Sequence, residues 1–206
     1  MNTRGNTRGC VMQIMYWVNK CRLALVFLIL AFGASSNVIA DVDLTWLESK
    51  QGRVQLKLAG GNAQQLKLEP NVSGIFFDED QHKIGEHSFV SLFQVQPSNP
   101  GHSMGHCGAG SEVWFYVYEV ADNALKEKTR VLVSSCLSSV SLASQNTGLA
   151  TQDFDFSSVQ WNSQGFSIAW FERVDAAGRS LTRTHFVLQD DDFLPHDVSS
   201  AENQDK

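Results

Sequence analysis

The sequence predicts an all-β protein, an antiparallel β-sandwich or barrel-like meander of about nine to ten strands. Short segments such as 53–58 and 65–68 alternate polar and apolar residues with period two, as strands with one buried face do. Turn-forming residues separate these segments, and no stretch carries a sustained apolar stripe at the helical period of 3.6 residues. The predicted strands are 53–58, 65–68, 72–77, 88–95, 112–120, 130–142, 159–161, 165–172 and 180–188.

The strand at 112–120 is unlike the others because every residue from Val113 to Tyr118 is apolar or aromatic. Burial on both faces is typical of a central strand that is covered from two sides. We expect a hairpin through 122–127 to pair it with the following strand, with Glu119 opposite Arg130. That register would place Cys136 opposite Val113. Further along the chain, residues 157–189 are expected to form a three-stranded meander.

The first 40 residues have the features of a cleaved signal peptide. Four basic residues and no acidic ones accompany an apolar run from Leu23 to Phe32. Val38 and Ala40 are small residues at the −3 and −1 positions, so we expect cleavage after Ala40. The apolar run is about half the ~20 residues that a membrane span requires. The sequence therefore predicts export to the periplasm or the extracellular space, with no membrane span after cleavage.

Removal of residues 1–40 leaves 166 residues, which suits a single all-β domain at 41–196 followed by a disordered acidic tail at 197–206. This part keeps all 22 acidic residues but only 12 of the 16 basic ones, so its formal net charge is −10. Such a surface repels nucleic acid and favours a cationic partner.

Two cysteines, Cys107 and Cys136, follow the signal peptide, and two thiols in an exported protein usually form a disulfide. The bridge would stabilise the fold by about 3.5 kcal/mol through loop closure. We expect it to tie the glycine-rich loop at 101–110 to the strand near Cys136 and not to form a cross-strand rung.

The segment from Gly101 to Gly105 matches the G-x-S-x-G nucleophile elbow of the α/β-hydrolases, with Ser103 as nucleophile. That motif requires a helix directly after the serine, and the glycines at 105, 108 and 110 oppose one. We therefore expect no catalytic residue, and a serine hydrolase is the last of the three functional alternatives.

Four histidines raise the question of a metal site, because His102 and His106 flank the loop beside Cys107 and His82 and His87 lie in another turn region. A cysteine in a disulfide cannot ligate zinc, and two loop histidines are not a complete ligand set. We expect no metal and no cofactor. The acidic runs 78–80 and 190–192 lack the spacing of a calcium loop and are expected to be solvated turns.

Loop 101–110 is the predicted binding surface, since glycines, histidines and a covalent staple coincide there. The expected binding residues are His102, His106, Gly108, Gly110 and Glu112. The leading hypothesis is an exported binding protein, an inhibitor or immunity-type protein that acts on another exported protein. In size, compartment and β content the chain is similar to small periplasmic inhibitors of wall-degrading enzymes. The alternative is a carbohydrate or small-ligand binding module that uses exposed Trp and Tyr side chains.

Overall fold

The computed structural model describes residues 44–58, 63–121 and 124–200, and these form thirteen β-strands in three antiparallel sheets. The strands are β1 (Thr45–Glu48), β2 (Arg53–Lys57), β3 (Ala63–Lys67), β4 (Gly74–Phe77), β5 (His82–Ile84), β6 (His87–Pro97), β7 (Ser111–Ala121), β8 (Ala124–Ser135), β9 (Ser141–Leu142), β10 (Val159–Asn162), β11 (Gly165–Glu172), β12 (Leu181–Gln189) and β13 (Asp192–Ser199). Two short 3₁₀ turns follow β9, and the described ranges contain no α-helix. The expected signal peptide lies outside them.

The largest sheet has six strands in the order β1-β4-β6-β7-β8, with β5 also paired to β6. A five-stranded sheet has the order β10-β11-β12-β13, with β9 paired to β11, and includes the predicted meander. β2 and β3 form a separate two-stranded hairpin. The all-β prediction is confirmed. Among the described residues, no helix is long and apolar enough to cross a membrane.

The inner strands β4, β6 and β7 of the six-stranded sheet are buried on both faces, as the composition of β7 predicts. Phe115 and Val117 point into a core that also contains Phe166 and Ile168 of the five-stranded sheet. The alternate residues of β7, including Tyr116, point into a second core on the opposite face. That second core is closed by the β2–β3 hairpin, whose inward-facing residues are Val54, Leu56 and Leu66. The order of layers is therefore five-stranded sheet, six-stranded sheet, hairpin.

The predicted register of the β7–β8 hairpin is wrong. Glu119 pairs with Lys126 and not with Arg130, because β8 begins at Ala124, directly opposite Ala121. Most of the segment expected to be a turn is therefore strand. Two β-bulges then shift the register further along the ladder.

Three strands, β1, β5 and β13, were not expected from the sequence. β13 pairs with β12 along its length, and Asp190 and Asp191 form the connecting turn with φ angles of 48° and 76°. Aspartate tolerates this left-handed conformation, which the tightest hairpin turns require. Asp190 and Asp191 of the acidic run are thus turn residues, as expected, whereas Asp192 is the first residue of β13. The ordered strand extends to Ser199, three residues past the predicted end of the domain at residue 196.

The hairpin layer should contribute to global stability because it seals the second core. Leu56 is fully buried there, so Leu56→Ala is expected to lower the free energy of unfolding by about 2–5 kcal/mol. The matched control is Gln55→Ala, an exposed neighbour on the same strand, which should stay within about 0.5 kcal/mol. Urea denaturation of both variants measures the difference. Equal stability of the two would mean that the hairpin does not belong to the cooperative unit.

Candidate functional site

Residues 101–110, here called the stapled loop, connect β6 to β7 at one end of the six-stranded sheet. The disulfide between Cys107 and Cys136 is present with a Cα–Cα distance of 5.7 Å, so this prediction is confirmed. Cys136 follows the last residue of β8, and Val113 pairs with Ser134. The bridge therefore anchors the loop to the chain just beyond β8 and is not a cross-strand rung.

The backbone of the stapled loop is organised as a series of tight turns. Successive i to i+3 hydrogen bonds run from His102 N–H to Asn99 O (3.1 Å), Gly105 N–H to His102 O (2.8 Å), Gly108 N–H to Gly105 O (3.0 Å) and Gly110 N–H to Cys107 O (3.1 Å). The Asn99 side chain adds a hydrogen bond from Nδ2 to the His106 carbonyl at 3.2 Å. No helix follows Ser103, so the structural context of a nucleophile elbow is lacking in this loop.

The glycines of the loop allow other atoms to pack closely against the backbone, and they are not needed for a positive φ angle. The positive φ belongs to Cys107 itself, at 57°, whereas Gly105, Gly108 and Gly110 do not adopt positive φ. A Cβ on Gly108 would overlap the Ser103 carbonyl group. A Cβ on Gly110 would lie 3.3 Å from the Cβ of Cys136. Gly108 is thus required by the packing of the loop on itself, and Gly110 packs tightly against the disulfide.

Glu112 does not contribute an exposed charge, contrary to the expectation that it forms part of the binding surface. Glu112 is buried, with an exposed fraction of 8%. The Ser98 hydroxyl donates a hydrogen bond of 2.6 Å to its carboxylate oxygen Oε1. Ser98 also donates its backbone N–H to the Gly110 carbonyl at 3.0 Å. Glu112 and Ser98 therefore fix the base of the stapled loop. We reassign Glu112 from a contact residue to a positioning residue.

The outer surface of the loop is formed by His102, His106 and Met104. Both histidines are exposed, and Met104 between them is 99% exposed. Sequence reasoning missed Met104, because a single methionine in a polar loop carries no periodic signal. This apolar side chain therefore lies in solvent on a loop that the disulfide and the turn hydrogen bonds anchor.

The expectation that the histidines bind no metal stays a prediction, and the structure shows what surrounds two of them. His106 lies near both cysteines, but the disulfide removes their thiolates as ligands. The His82 ring stacks on Trp161 with centroids 4.2 Å apart, and its Nε2 lies 3.2 Å from Asp78 Oδ2. His82 therefore has a structural role between the two large sheets.

His87 belongs to a charged cluster that joins the two large sheets. Its Nδ1 lies 2.6 Å from Glu119 Oε1, and the Lys128 ammonium lies 3.6 Å from Glu119 and 2.6 Å from Asp191 in the β12–β13 turn. The Lys128 side chain is only 2% exposed. The ammonium thus supplies a positive charge where His87, Glu119 and Asp191 converge.

The pKa values in this cluster reflect mutual stabilisation of the charged forms. The hydrogen bond from His87 lowers the pKa of Glu119, and the hydrogen bond from Lys128 lowers the pKa of Asp191. Burial acts to lower the pKa of Lys128, but the two carboxylates outweigh it and the pKa is raised. Lys128 is therefore charged at neutral pH.

A separate groove of about 900 Å³ lies between the β2–β3 hairpin and the six-stranded sheet. Gln94 and Tyr118 are buried residues that line it together with Leu66, Leu68 and Leu125. The Gln94 side chain donates to the Tyr118 hydroxyl at 3.4 Å and accepts the Glu69 N–H at 3.3 Å. Burial raises the pKa of Tyr118, so its hydroxyl stays protonated. Most of the other residues that line this groove are polar or charged, among them Arg53, Lys67 and Glu127.

Neither protein-family models nor curated proteins nor solved structures give a match to this chain.

The disulfide should be detectable and important for stability. A non-reduced digest is expected to contain a linked pair of peptides carrying Cys107 and Cys136. Replacing both cysteines by serine should lower the free energy of unfolding by about 3–4 kcal/mol. The reason is that the bridge restricts the unfolded chain by joining two cysteines that are 29 residues apart. Mass spectrometry and denaturant titration provide the two measurements. Alkylation of both cysteines in the unreduced, denatured protein would contradict the assignment.

The charged cluster should make stability depend on pH in the acidic range. Because the folded-state pKa of Asp191 is depressed, its stabilisation is present above the unfolded pKa of about 3.9 and is lost as the pH falls through the folded pKa. The Asp191→Asn variant is expected to have a lower Tm than the unchanged protein at pH 7, and the two Tm values should converge as the pH falls below the folded-state pKa of Asp191. Asp190→Asn, in the same turn but outside these ion pairs, is the matched control. A Tm difference independent of pH would contradict the electrostatic explanation.

Proposed function

We propose that this is an exported protein of the periplasm or extracellular space that binds another exported protein through the stapled loop, as inhibitors and immunity proteins do. In this proposal the five- and six-stranded sheets form a β-sandwich that serves as a rigid scaffold. The observation that carries the proposal is Met104, an apolar side chain with 99% exposure at the outer surface of a covalently anchored loop.

The physical argument is preorganisation. Ordering a side chain on binding costs about 0.5–1.5 kcal/mol, and a loop already held by a disulfide and four turn hydrogen bonds loses less entropy. The thioether of methionine is flexible and polarisable, so it adapts to an apolar pocket on a partner. A rigid loop with an adaptable tip is well suited to protein recognition.

The charge of the exported part selects the partner class. A net charge of −10 favours a cationic protein and increases its rate of encounter. His102 and His106 are exposed on either side of Met104 and offer ring nitrogens for hydrogen bonds. Since Glu112 is buried, the attraction in this proposal comes from the overall field and not from that carboxylate.

The groove at Gln94 and Tyr118 favours the second candidate, a small-ligand binding module. Its volume of about 900 Å³ falls in the range of small-molecule sites. Its two buried polar side chains, Gln94 and Tyr118, bond to each other. The rest of the lining carries charges of both signs and singles out no one ligand class. This function therefore ranks below protein binding.

Affinity capture from the native exported fraction tests the proposal. The unchanged protein should retain one stoichiometric protein, and Met104→Asp should weaken its binding at least tenfold, because the charge would be buried in the partner's apolar pocket. Leu149→Asp is the matched control, since Leu149 is 63% exposed but lies outside the stapled loop.

Salt and the histidines provide independent readouts of the same complex. Added salt should slow association with a cationic partner through screening. His106→Ala should weaken binding by a smaller factor than Met104→Asp. Surface plasmon resonance measures both effects. A complex that survives Met104→Asp and His106→Ala unchanged would refute the loop as the binding surface.

A further inference from the structure

β1 and β2 start as a hairpin and then separate into different sheets. Lys50 and Arg53 exchange two backbone hydrogen bonds of 2.9 and 3.1 Å across a turn in which Gln51 and Gly52 have positive φ. Beyond this point β1 pairs with β4 and β2 pairs with β3, and no ladder joins β1 to β2 in the described part of the chain. The space between the two diverging strands is here called the wedge.

The wedge is a groove of about 630 Å³. Its lining includes Trp46, Leu47 and Glu48 of β1 and Arg53, Val54 and Gln55 of β2. Both strands therefore face the groove with an edge that has no strand partner among residues 44–58, 63–121 and 124–200.

The hydrogen-bond pattern shows which backbone groups of β1 point into the wedge. In an antiparallel ladder, residues alternate between those that bond to the partner strand and those that point away from it. The backbone N–H of Ser49 donates to the Ser73 carbonyl at 3.0 Å. Leu47, two residues earlier, therefore also directs its backbone groups toward β4. Trp46 and Glu48 consequently direct their N–H and C=O groups away from β4 and toward the wedge.

The opposite wall has the same character. The backbone N–H of Leu68 donates to the Gly52 carbonyl at 2.9 Å. Val54, two residues further along β2, therefore also directs its backbone groups toward β3. The alternate residues, Gln55 and Lys57, then direct their backbone groups toward β1. Within the described residues, none of these four wedge-facing backbones has a hydrogen-bond partner.

The side chain of Trp46 forms a fixed aromatic surface beside these backbone groups. A Cβ on Gly74 would overlap its ring, so the ring lies directly on the backbone of β4. The Phe76 ring packs against it with centroids 4.8 Å apart. Trp46 nevertheless remains 43% exposed. Such a ring is available to a large apolar side chain of an incoming strand.

The charge near the wedge differs from that of the whole protein. The solvent face of the β2–β3 hairpin carries Arg53, Lys57 and Lys67, all exposed, and no acidic residue. The whole chain has a formal net charge of −6. Of the charged residues that line the wedge itself, Lys50 and Arg53 are cations and Glu48 is an anion. The local excess of cations favours an acidic ligand.

We propose that the wedge binds an extended, acidic peptide segment of a partner protein, which adds to β1 as a further strand of the six-stranded sheet. Backbone hydrogen bonds to Trp46 and Glu48 hold the peptide, and an aromatic or large apolar residue packs on Trp46. Acidic residues of the peptide face the cationic hairpin. A symmetric β1–β1 pairing of two copies does not fit, because in each copy the β2–β3 hairpin lies beside the same edge of β1.

The probe for this site is a phage-displayed library of random dodecapeptides. Selection is expected to enrich acidic sequences with an aromatic residue. A synthetic peptide of the enriched sequence should slow hydrogen exchange at the Trp46 and Glu48 amides, while the Leu47 amide, already bonded toward β4, should change little. Single N-methyl groups should be introduced along the peptide one position at a time. Methylation should abolish binding at every second position, because only alternate N–H groups of an added strand face β1.

Proline variants distinguish the two walls of the wedge. Glu48→Pro removes a wedge-facing N–H without removing a bond to β4, so we expect at least tenfold weaker peptide binding. Glu48→Ala keeps that N–H and should stay within threefold. Gln55→Pro makes the matched change on β2 and should also stay within threefold, because the peptide pairs with β1.

Four outcomes would overturn the inference. The first two are a selection that enriches no acidic sequence with an aromatic residue and a Glu48→Pro variant that binds the peptide as tightly as the unchanged protein. The other two are protection from hydrogen exchange outside β1 and a dimer of this chain that Glu48→Pro disrupts. The inference does not depend on the stapled loop, so Met104→Asp should leave peptide binding unchanged. Failure here and failure of the loop proposal are therefore separate results.

Discussion

Burial of the inner strands of the six-stranded sheet on both faces is the constraint on which the rest of the structure depends. β7 carries apolar side chains at consecutive positions, so a single covering layer would leave every second one in water. The five-stranded sheet covers Phe115 and Val117, and the β2–β3 hairpin covers Tyr116 and its neighbours. The hairpin has to leave the large sheet in order to lie over it. The divergence of β1 from β2, and with it the wedge, follows from that requirement.

The same constraint provides a rigid base for the stapled loop. The loop leaves β6 and returns to β7, the two strands at the centre of the sheet, and its base is fixed by the bond between Ser98 and Glu112. The disulfide then adds a third attachment just after β8. A loop with three attachments to a doubly buried sheet can keep an apolar residue such as Met104 in solvent without collapsing onto the core.

The register of the sheet places the two proposed surfaces at the same end. Glu48 lies opposite Gly74, Gly74 opposite Val95, and Val95 opposite Val113. The β1–β2 turn and the stapled loop therefore both extend beyond this end. With adjacent strands about 4.8 Å apart, β1 and the loop are separated by roughly 10–15 Å across the sheet. A single partner protein is large enough to span that distance, with a folded surface on the loop and an extended segment in the wedge.

Local patterns in the sequence were sufficient for the features that depend on neighbouring residues. Period-two alternation predicts the strands, the composition from Val113 to Tyr118 predicts the doubly covered position of β7, and the two cysteines predict the disulfide. The hairpin register was not predictable in this way, because bulges and the start of β8 depend on how side chains pack across strands. Burial of Glu112 against Ser98 and the exposure of Met104 depend on contacts between distant parts of the chain. The wedge also depends on contacts between distant parts of the chain. Nothing in residues 45–57 indicates that two strands joined by a tight turn enter different sheets.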